Sequence, residues 1–340
     1  MKKRKVLAVL LCAAMTAALA VGCGGSKGSD SSDKSSDSSS SSDDVITVGF
    51  SQVGAESDWR TANSQSMKDT FSKENGYDLI FDDAQQKQEN QITAIRNFIQ
   101  QEVDYILLAP VTETGWDTVL QEAKDADIPV IIVDRMVDVS DDSLYTTWIG
   151  TDALCEGRKA AEWLNGFAEA KGIHIADIQG TIGSTAQIGR TKGLEEGVDK
   201  YGWDLVAQQT GEFTQAKGQE VMESMLKQYD NINVVYCEND NEAFGAIDAI
   251  EAAGKTVGSD IANGEIMVIS FDTTHAGLQD VLDGKIECDV ECNPLHGPRA
   301  EELIKKLEAG EDVDKQNYVD EEIFAHDDTV KSVKATNSLD

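Results

Sequence analysis

The chain has 340 residues and a formal net charge of −33 at pH 7, from 29 Lys and Arg against 62 Asp and Glu. Proteins that bind the phosphates of nucleic acids or anionic lipids need clustered Lys and Arg, so this charge argues strongly against both kinds of partner. Roughly 295 residues follow the N-terminal segment 1–44, which is described below. This is more than one hydrophobic core comfortably holds, so two domains are predicted.

Residues 1–22 have the pattern of a secretory signal peptide, with four basic residues, an apolar stretch over 6–21 and small residues at its end. Ala20-Val21-Gly22-Cys23 resembles a bacterial lipoprotein processing site, although Ala20 stands where leucine is usual. The pattern predicts cleavage before Cys23, lipidation of its sulfur and anchoring at the outer face of the cytoplasmic membrane. An ordinary signal peptide followed by a chance cysteine is the alternative. A permanent transmembrane anchor is disfavoured because the apolar stretch is short.

Residues 23–44 form the next segment, and after Cys23 they are almost entirely Ser, Asp, Gly and Lys. With no apolar residues to bury, such a segment cannot offset the entropy of ordering. It is predicted to be a disordered tether between the lipidated cysteine and the folded body.

Short runs rich in Val and Ile then alternate with longer helical patterns, which is typical of parallel strands buried on both faces. The first set of predicted strands lies near 46–50, 78–82, 104–108 and 129–133, with helices near 61–75, 88–101 and 115–126. The second set of strands lies near 173–178, 204–208, 233–236 and 266–271, with helices near 153–170, 187–201, 215–229 and 240–254.

The last predicted elements are too few for a third domain, so they are expected to return to the first two. They are a short helix near 276–282, a strand near 285–290, a helix near 299–307 and a strand near 318–323. We therefore predict an α/β fold of two doubly wound, Rossmann-like lobes joined by a hinge that closes around a ligand. The N-terminal lobe would contain 45–149 and about 293–315, and the C-terminal lobe 150–292 and about 316–340.

Hydrogen-bonding side chains follow several of these strands or begin the helices after them. Ligands of open parallel sheets bind beyond the carboxyl ends of the strands, so such side chains describe a polar pocket. Its carboxylates, guanidinium groups and amide suit the paired hydroxyls of a sugar, and two aromatic faces suit the C–H side of the ring. The candidates are Asp134, Asp272, Arg60, Arg135, Arg190, Asn239, Trp59 and Phe213.

Each candidate also has a structural interpretation. Asp134 and Arg135 form a surface pair in that case, and Arg190 is an exposed helix residue. Trp59 and Phe213 are then packing residues. Asn239 caps the helix that begins at Asp240, which is compatible with ligand contact. The clustering of all these residues at strand ends favours the pocket.

Several stretches carry a family resemblance when they are taken together in order. They are VGFSQVG (48–54), ESDWR (56–60), DAQQKQENQ (83–91), APV (109–111), VDR (133–135), Asp152 with EGR (156–158), GEFTQAKG (211–218), END (238–240) and ECNPL (291–295). In this order they resemble the periplasmic-type sugar-binding proteins of ABC importers, which have the type I periplasmic binding protein fold. Within that superfamily they are most similar to the galactofuranose-binding branch. Glu238 departs from the usual pattern, so it either alters sugar preference or faces solvent.

The resemblance implies a monosaccharide ligand, either galactofuranose or galactose-like or a pentose. It also implies that the protein delivers this sugar to a membrane permease with ATP-hydrolysing subunits. The protein is expected to be a monomer and to need no cofactor. The chain itself has no phosphate-binding loop ending in Lys-Ser/Thr. The implied ligand contacts are Glu56, Ser57, Asp58, Trp59, Arg60, Asp134, Arg135, Arg190, Asn239 and Asp272, with Phe213 and Asn293 added.

Two other functions compete with transport. The first is glycoside hydrolysis by Asp134 and Asp272, which is disfavoured because neighbouring arginines are expected to keep both carboxylates ionised. The second is a sensory role in which the bound sugar is presented to a membrane histidine kinase or chemoreceptor, and the sequence leaves it open. A sugar-responsive repressor is rejected because the chain is secreted and acidic.

Four cysteines remain after the N-terminal segment: Cys155, Cys237, Cys288 and Cys292. They contain no Cys-x-x-Cys pair, and the four histidines show no metal-ligand spacing, so no metal site is predicted. Cys288 and Cys292 lie on a predicted strand, about 13 Å apart, which is too far for a disulfide unless the chain turns. Buried free thiols are expected, and the sequence leaves any pairing open.

Overall fold

The structure is a computed structural model that describes residues 45–167 and 172–326. The predicted signal peptide, Cys23, the tether and the part of the predicted C-terminal lobe after 326 lie outside the described residues. Within the described ranges, no helix has the length and apolar character needed to cross a bilayer.

The first lobe is a parallel sheet with helices on both faces. Its strands are β1 (Ile46–Gln52), β2 (Tyr77–Asp83), β3 (Tyr105–Leu108), β4 (Val130–Val133) and β5 (Thr147–Gly150), and its helices are α1 (Asp58–Thr70), α2 (Gln88–Gln100) and α3 (Asp117–Asp125). In β4, Val130 and Ile132 pack into one hydrophobic cluster, whereas Ile131 and Val133 pack into the cluster on the opposite face. Burial on both faces explains the continuous apolar runs in the sequence.

The second lobe repeats this plan after the chain leaves β5. Its strands are β6 (His174–Gln179), β7 (Asp204–Thr210), β8 (Val234–Cys237), β9 (Met267–Asp272) and β10 (Cys288–Glu291), and its helices are α4 (Ala153–Phe167), α5 (Thr185–Tyr201), α6 (Gln215–Gln228), α7 (Asp240–Ala252) and α8 (His275–Leu282). The strand order is β7-β6-β8-β9-β10, which matches β2-β1-β3-β4-β5 of the first lobe. The predicted fold of two doubly wound lobes is confirmed.

The closing elements return to both lobes. Helix α9 (His296–Ala309) packs on α1, β11 (Gln316–Tyr318) pairs in parallel with β5, and β12 (Ile323–Ala325) pairs antiparallel with β10. The single strand predicted near 318–323 was therefore wrong, because two short edge strands flank that segment. Residues 316–318 accordingly lie in the first sheet, whereas the sequence placed everything after about 316 in the second lobe.

Two further elements differ from the sequence prediction. Helix α1 begins at Asp58 rather than near 61, because the Ser57 side chain accepts a hydrogen bond from the Arg60 amide and caps the first turn. The helix ends at Thr70, before the predicted end at 75. Strand β5 was not predicted, since its sequence Thr-Trp-Ile-Gly does not form a run of Val and Ile like those of β3 and β4.

The chain crosses between the lobes three times within the described residues, near 150–153, 291–296 and 318–323. Backbone amides take part in contacts between the opposite lobes: for example, the Glu113 amide donates to the Gly183 carbonyl at 3.0 Å, and the Met136 amide donates to the Thr185 side chain Oγ1 at 2.7 Å. These contacts bring the carboxyl ends of the two sheets face to face, so the lobes are closed on each other.

Candidate ligand-binding cleft

A cleft of about 290 Å³, partly open to solvent, lies between the carboxyl ends of the two sheets. Its walls contain every site residue predicted from the sequence except Asp58 and Asn293, and they add Ala186 and Cys292. The lining residues are Glu56, Ser57, Trp59, Arg60, Asp134, Arg135, Ala186, Arg190, Phe213, Asn239, Asp272 and Cys292.

The two predicted residues outside the lining have other contacts. The Asp58 amide donates a hydrogen bond to Oδ1 of Asn241 in the opposite lobe at 3.0 Å. The Asn293 amide donates to Glu321 Oε1 at 2.8 Å in the third crossing. Cys292 and Ala186 were missed because neither side chain has a strong hydrogen-bonding group, and only the tertiary structure places them beside the polar residues.

The first lobe supplies a buried charge network to the cleft. Arg60 lies between two carboxylates, with Nη2 at 2.8 Å from Asp134 Oδ2 and Nε at 3.0 Å from Glu56 Oε1. Arg135 donates to the Val111 carbonyl at 3.0 Å and lies 3.7 Å from the same Glu56 oxygen. Both arginine side chains are only 3% exposed, which rules out a surface pair at Asp134 and Arg135.

The second lobe contributes Arg190, whose side chain is 2% exposed and therefore not a solvent-facing helix residue. Its Nε donates to Glu156 Oε2 at 2.7 Å, and Nη1 lies 3.6 Å from Asp272 Oδ1. Nη1 also donates to the Glu238 carbonyl, and the guanidinium lies over the Phe271 ring at 4.7 Å from its centroid. Arg190 thus connects the cleft to the start of α4.

Two aromatic rings contribute apolar faces. The Trp59 Nε1 donates to the Cys292 carbonyl at 2.5 Å, and the Arg60 guanidinium lies 4.6 Å from its ring centroid. Phe213 lies under Arg135 at 5.2 Å and fits against Gly180, where a Cβ atom would come within 1.9 Å of the ring. Position 180 must therefore be glycine if Phe213 is to keep its place in the wall.

Asn239 combines the capping and the lining roles considered from the sequence. Its Oδ1 accepts from the Glu242 amide at 2.8 Å and caps α7, while Nδ2 donates to the Phe213 carbonyl at 3.2 Å. The neighbouring Glu238 does not face solvent, since it is 0% exposed and accepts from the Gly180 amide at 2.8 Å. The Glu238 side chain supports the wall from behind and is not part of the lining.

Three lining residues have positive φ angles: Asp134 at 64°, Phe213 at 61° and Asp272 at 110°. Non-glycine residues rarely adopt such angles, and those that do concentrate at functional sites where surrounding contacts hold them. Asp134 and Asp272 occupy equivalent positions at the ends of β4 and β9. Both lobes therefore turn the chain sharply at the point where a carboxylate enters the cleft.

The pKa values of the two cleft carboxyl groups are shifted in opposite directions. Burial by itself would raise the pKa of Asp134, but the positive charges of Arg60 and Arg135 outweigh it and hold that pKa below its ordinary value. Burial raises the pKa of Asp272 well above its ordinary value, and Arg190 only partly opposes this effect. The direction of the pKa shift agrees for Asp134 with the expectation that arginines keep both carboxylates ionised, and it is opposite to that expectation for Asp272.

Buried acids in the second lobe predict a pH dependence of stability. Burial raises the pKa of Asp177 to about 7 and that of Asp240 to about 6, whereas both ionise near pH 4 in an unfolded chain. The folded protein thus holds these protons more tightly, and the stabilisation is lost as the pH rises from about 4 through 7. We expect the free energy of unfolding to fall on the order of 2–4 kcal/mol between pH 5 and pH 8, measured by urea denaturation without ligand.

Two substitutions test the origin of this slope. Asp177→Asn removes a titrating group that is 0% exposed and should flatten the pH dependence. Asp230→Asn, at an exposed position after α6, should leave it unchanged. A free energy of unfolding that rises over the same pH range, or an unaltered slope in Asp177→Asn, would contradict the assignment.

All four cysteines in the part of the chain that the structure describes are free. Cys237, Cys288 and Cys292 are buried as expected, whereas Cys155 is exposed on α4.

Several known sugar-binding proteins are similar to this chain. Galactofuranose-binding protein YtfQ of Escherichia coli K12 is 42% identical over 270 residues, covering 78% of this chain and 83% of that protein. A Mycobacterium smegmatis protein solved in complex with β-D-fucofuranose is 48% identical with a TM-score of 0.78, covering 83% of this chain and 91% of its own. The periplasmic binding component of the arabinose ABC transporter from Shewanella sp. ANA-3, bound to α- and β-L-arabinofuranose, is 44% identical with a TM-score of 0.77, covering 83% and 92%.

These relatives are binding proteins, and the expectation that the chain is not an enzyme is confirmed by them. The sequence model of the periplasmic binding protein domain matches residues 48–296, which spans both lobes and every residue that lines the cleft. The resemblance read from the motifs is thereby confirmed, and this chain belongs to the periplasmic binding protein domain family.

Proposed function

We propose that the protein captures one monosaccharide in its furanose form within the cleft and delivers it to an ABC sugar importer. The observation that carries the proposal is the convergence of buried charged groups from both lobes on one small space. Three arginines and two aspartates are held there by backbone and side-chain contacts within the protein, which reduces the reorganisation needed on binding.

Sugar hydroxyls suit the hydrogen-bonding groups of this space. Glu56 Oε2 is buried and has no hydrogen-bond partner among the described residues, so it is ready to accept from a hydroxyl donor. Asp272 adds a further buried carboxyl group that can form hydrogen bonds with sugar hydroxyls. Hydrogen bonds to charged groups contribute roughly 1.5–3 kcal/mol each, so four or five exceed the ~8 kcal/mol of micromolar binding.

The furanose form is proposed from the relatives. Three proteins that are 42–48% identical to this chain are named or solved with galactofuranose, fucofuranose or arabinofuranose. D-Galactose, its 6-deoxy form fucose and L-arabinose have the same configuration at the ring carbons of their furanose forms. We therefore propose a ligand of this class and not a glucose-like pyranose.

Nuclear magnetic resonance of labelled sugars tests the ring form directly. Galactose and arabinose labelled with ¹³C at C1 are mostly pyranose in solution, and their furanose and pyranose anomeric carbons resonate at different shifts. We expect a slowly exchanging bound resonance in the furanose region for at least one of the two sugars. Labelled glucose, as the control, should give no bound resonance.

The possible failures are distinguishable. A bound resonance in the pyranose region would contradict the furanose assignment while leaving sugar binding intact. If galactose, arabinose, fucose, ribose and xylose all failed to shift the thermal melting temperature, the proposal of a sugar ligand itself would be wrong.

The family implies an extracytoplasmic location, and we propose that a lipid on Cys23 holds the protein at the outer face of the cytoplasmic membrane. The segment 24–44 would then be the tether that lets a monomer reach the permease, with a typical span of about 25 Å. Cys23→Ala should release the protein into the medium, detected by immunoblotting of cell and medium fractions. Membrane retention equal to that of the unaltered protein would contradict lipidation, and Cys155→Ala is the matched cysteine control.

A further inference from the structure

The three crossings between the lobes each contribute one side chain to a common cluster, which we call the hinge cluster: Glu156, Cys292 and Glu321. Glu156 is in the first turn of α4 after the first crossing, Cys292 begins the second crossing and Glu321 lies within the third. Their carboxylate and thiol ligand atoms all lie within 4.8 Å of one another. Residues up to 165 positions apart in the sequence are thus gathered at one point of the hinge.

Each member of the hinge cluster is oriented by a partner outside it. Glu156 Oε2 accepts from Arg190 Nε at 2.7 Å, and Glu321 Oε1 accepts from the Asn293 amide at 2.8 Å. The Cys292 sulfur lies 4.0 Å from Thr151 Oγ1. Such outer contacts, which fix the direction of a ligand while leaving its second atom available, are a regular feature of protein metal sites.

The two carboxylates of the hinge cluster lie against each other. Glu156 is 1% exposed, its Oε1 accepts no hydrogen bond from an N–H or hydroxyl group of the described residues, and its carboxylate is in hydrogen-bonding contact with that of Glu321. Two carboxylates in such contact repel each other unless they share a proton or bind a cation. Glu321 is only partly buried, so an ion has a route to the cluster from the surface of the hinge.

We propose that the hinge cluster binds one divalent cation of the zinc class. A thiolate with two carboxylates and one open position is a ligand set that suits zinc, which prefers four-coordinate sites and accepts both sulfur and oxygen. With all three ligands ionised, their charge of −3 is balanced by a divalent ion together with the adjacent Arg190. The site differs from the sequence expectation of no metal, because its ligands come from three distant segments without any local spacing.

The test is a titration of the purified, chelator-stripped protein with ZnCl₂ and CoCl₂ in the absence of sugar. We expect one equivalent of zinc to bind, and cobalt to give the charge-transfer absorption that only a thiolate ligand produces. Cys292→Ser should abolish this absorption, and both Cys292→Ser and Glu321→Gln should weaken zinc binding at least about tenfold.

Cys155→Ser is the matched control, since Cys155 is an exposed thiol on the same helix as Glu156 but outside the hinge cluster. It should retain the cobalt absorption and the zinc affinity. Metal-free thermal melting establishes that each variant is folded, and Glu321→Gln at a partly exposed position keeps the test valid if Cys292→Ser does not fold. Absence of zinc binding, or equal binding by Glu321→Gln and the unaltered protein, would overturn the proposal whatever sugar the cleft takes.

Discussion

Arg190→Met is expected to lower the free energy of unfolding by about 3–5 kcal/mol, measured by urea denaturation without ligand. Arg190 is 2% exposed and is the cationic partner of both Glu156 and Asp272. Methionine fills a similar volume over the Phe271 ring but leaves the buried Glu156 carboxylate without its 2.7 Å donor. The loss comes mainly from that unpaired buried group and not from the lost attraction itself.

Arg158→Met provides a matched control on the adjacent α4. Arg158 makes an equally close ion pair, with Nε at 2.6 Å from Glu196 Oε2, but the two side chains are 54% and 41% exposed. Solvent-exposed pairs contribute only about 0–1 kcal/mol, so this variant should be nearly as stable as the unaltered protein. Equal losses in the two arginine variants would refute the central role given to Arg190.

Asp134→Ala is expected to weaken sugar binding by about 2–5 kcal/mol, which is roughly 30-fold or more in Kd by calorimetry. The substitution removes a hydroxyl acceptor and leaves Arg60 without its 2.8 Å partner inside a buried network. Part of the effect also comes from the backbone, because Asp134 has a φ of 64° that alanine tolerates less well than aspartate. The sugar for this measurement is the one that the resonance experiment identifies.

Two companion variants separate these contributions. Asp134→Asn keeps an acceptor oxygen and a side chain that tolerates positive φ, so its loss of affinity should be smaller than that of Asp134→Ala. Asp138→Ala removes an exposed carboxylate from the same loop and should change Kd less than threefold. A change below threefold in Asp134→Ala would remove Asp134 from the binding site.

The elements that the sequence predicted well are those whose pattern is local. Helix α2 and strands β3 and β4 lie almost where periodicity placed them, since a buried helix face or strand requires the same residue spacing in any context. Strands β5 (TWIG), β11 (QNY) and β12 (IFA) are short and lack the run of Val and Ile that marks β4. They exist because a neighbouring strand pairs with them, which no local pattern records.

The candidate site was largely predictable for a related reason. Asp134, Asn239 and Asp272 stand at the ends of apolar runs, and the carboxyl ends of parallel strands must meet along one edge of a sheet. Asn293 was carried over from a motif, and the structure shows it in the hinge beside Glu321. Nothing in the sequence predicted that Ala186 lines the cleft, because an alanine side chain has no chemistry that distinguishes a binding site from any other surface.

Taken alone, the amino-acid sequence determined that two parallel α/β lobes enclose a polar cleft, because strand periodicity and strand-end chemistry are local properties of the chain. Only the tertiary structure decided which charges pair and which carboxyl groups have a raised pKa, as for Arg190 with Glu156 and for Asp272. It also decided that Glu156, Cys292 and Glu321 meet at the hinge. Pairing and burial depend on contacts between residues far apart in the chain, and these contacts exist only after the lobes have folded and the crossings have come together.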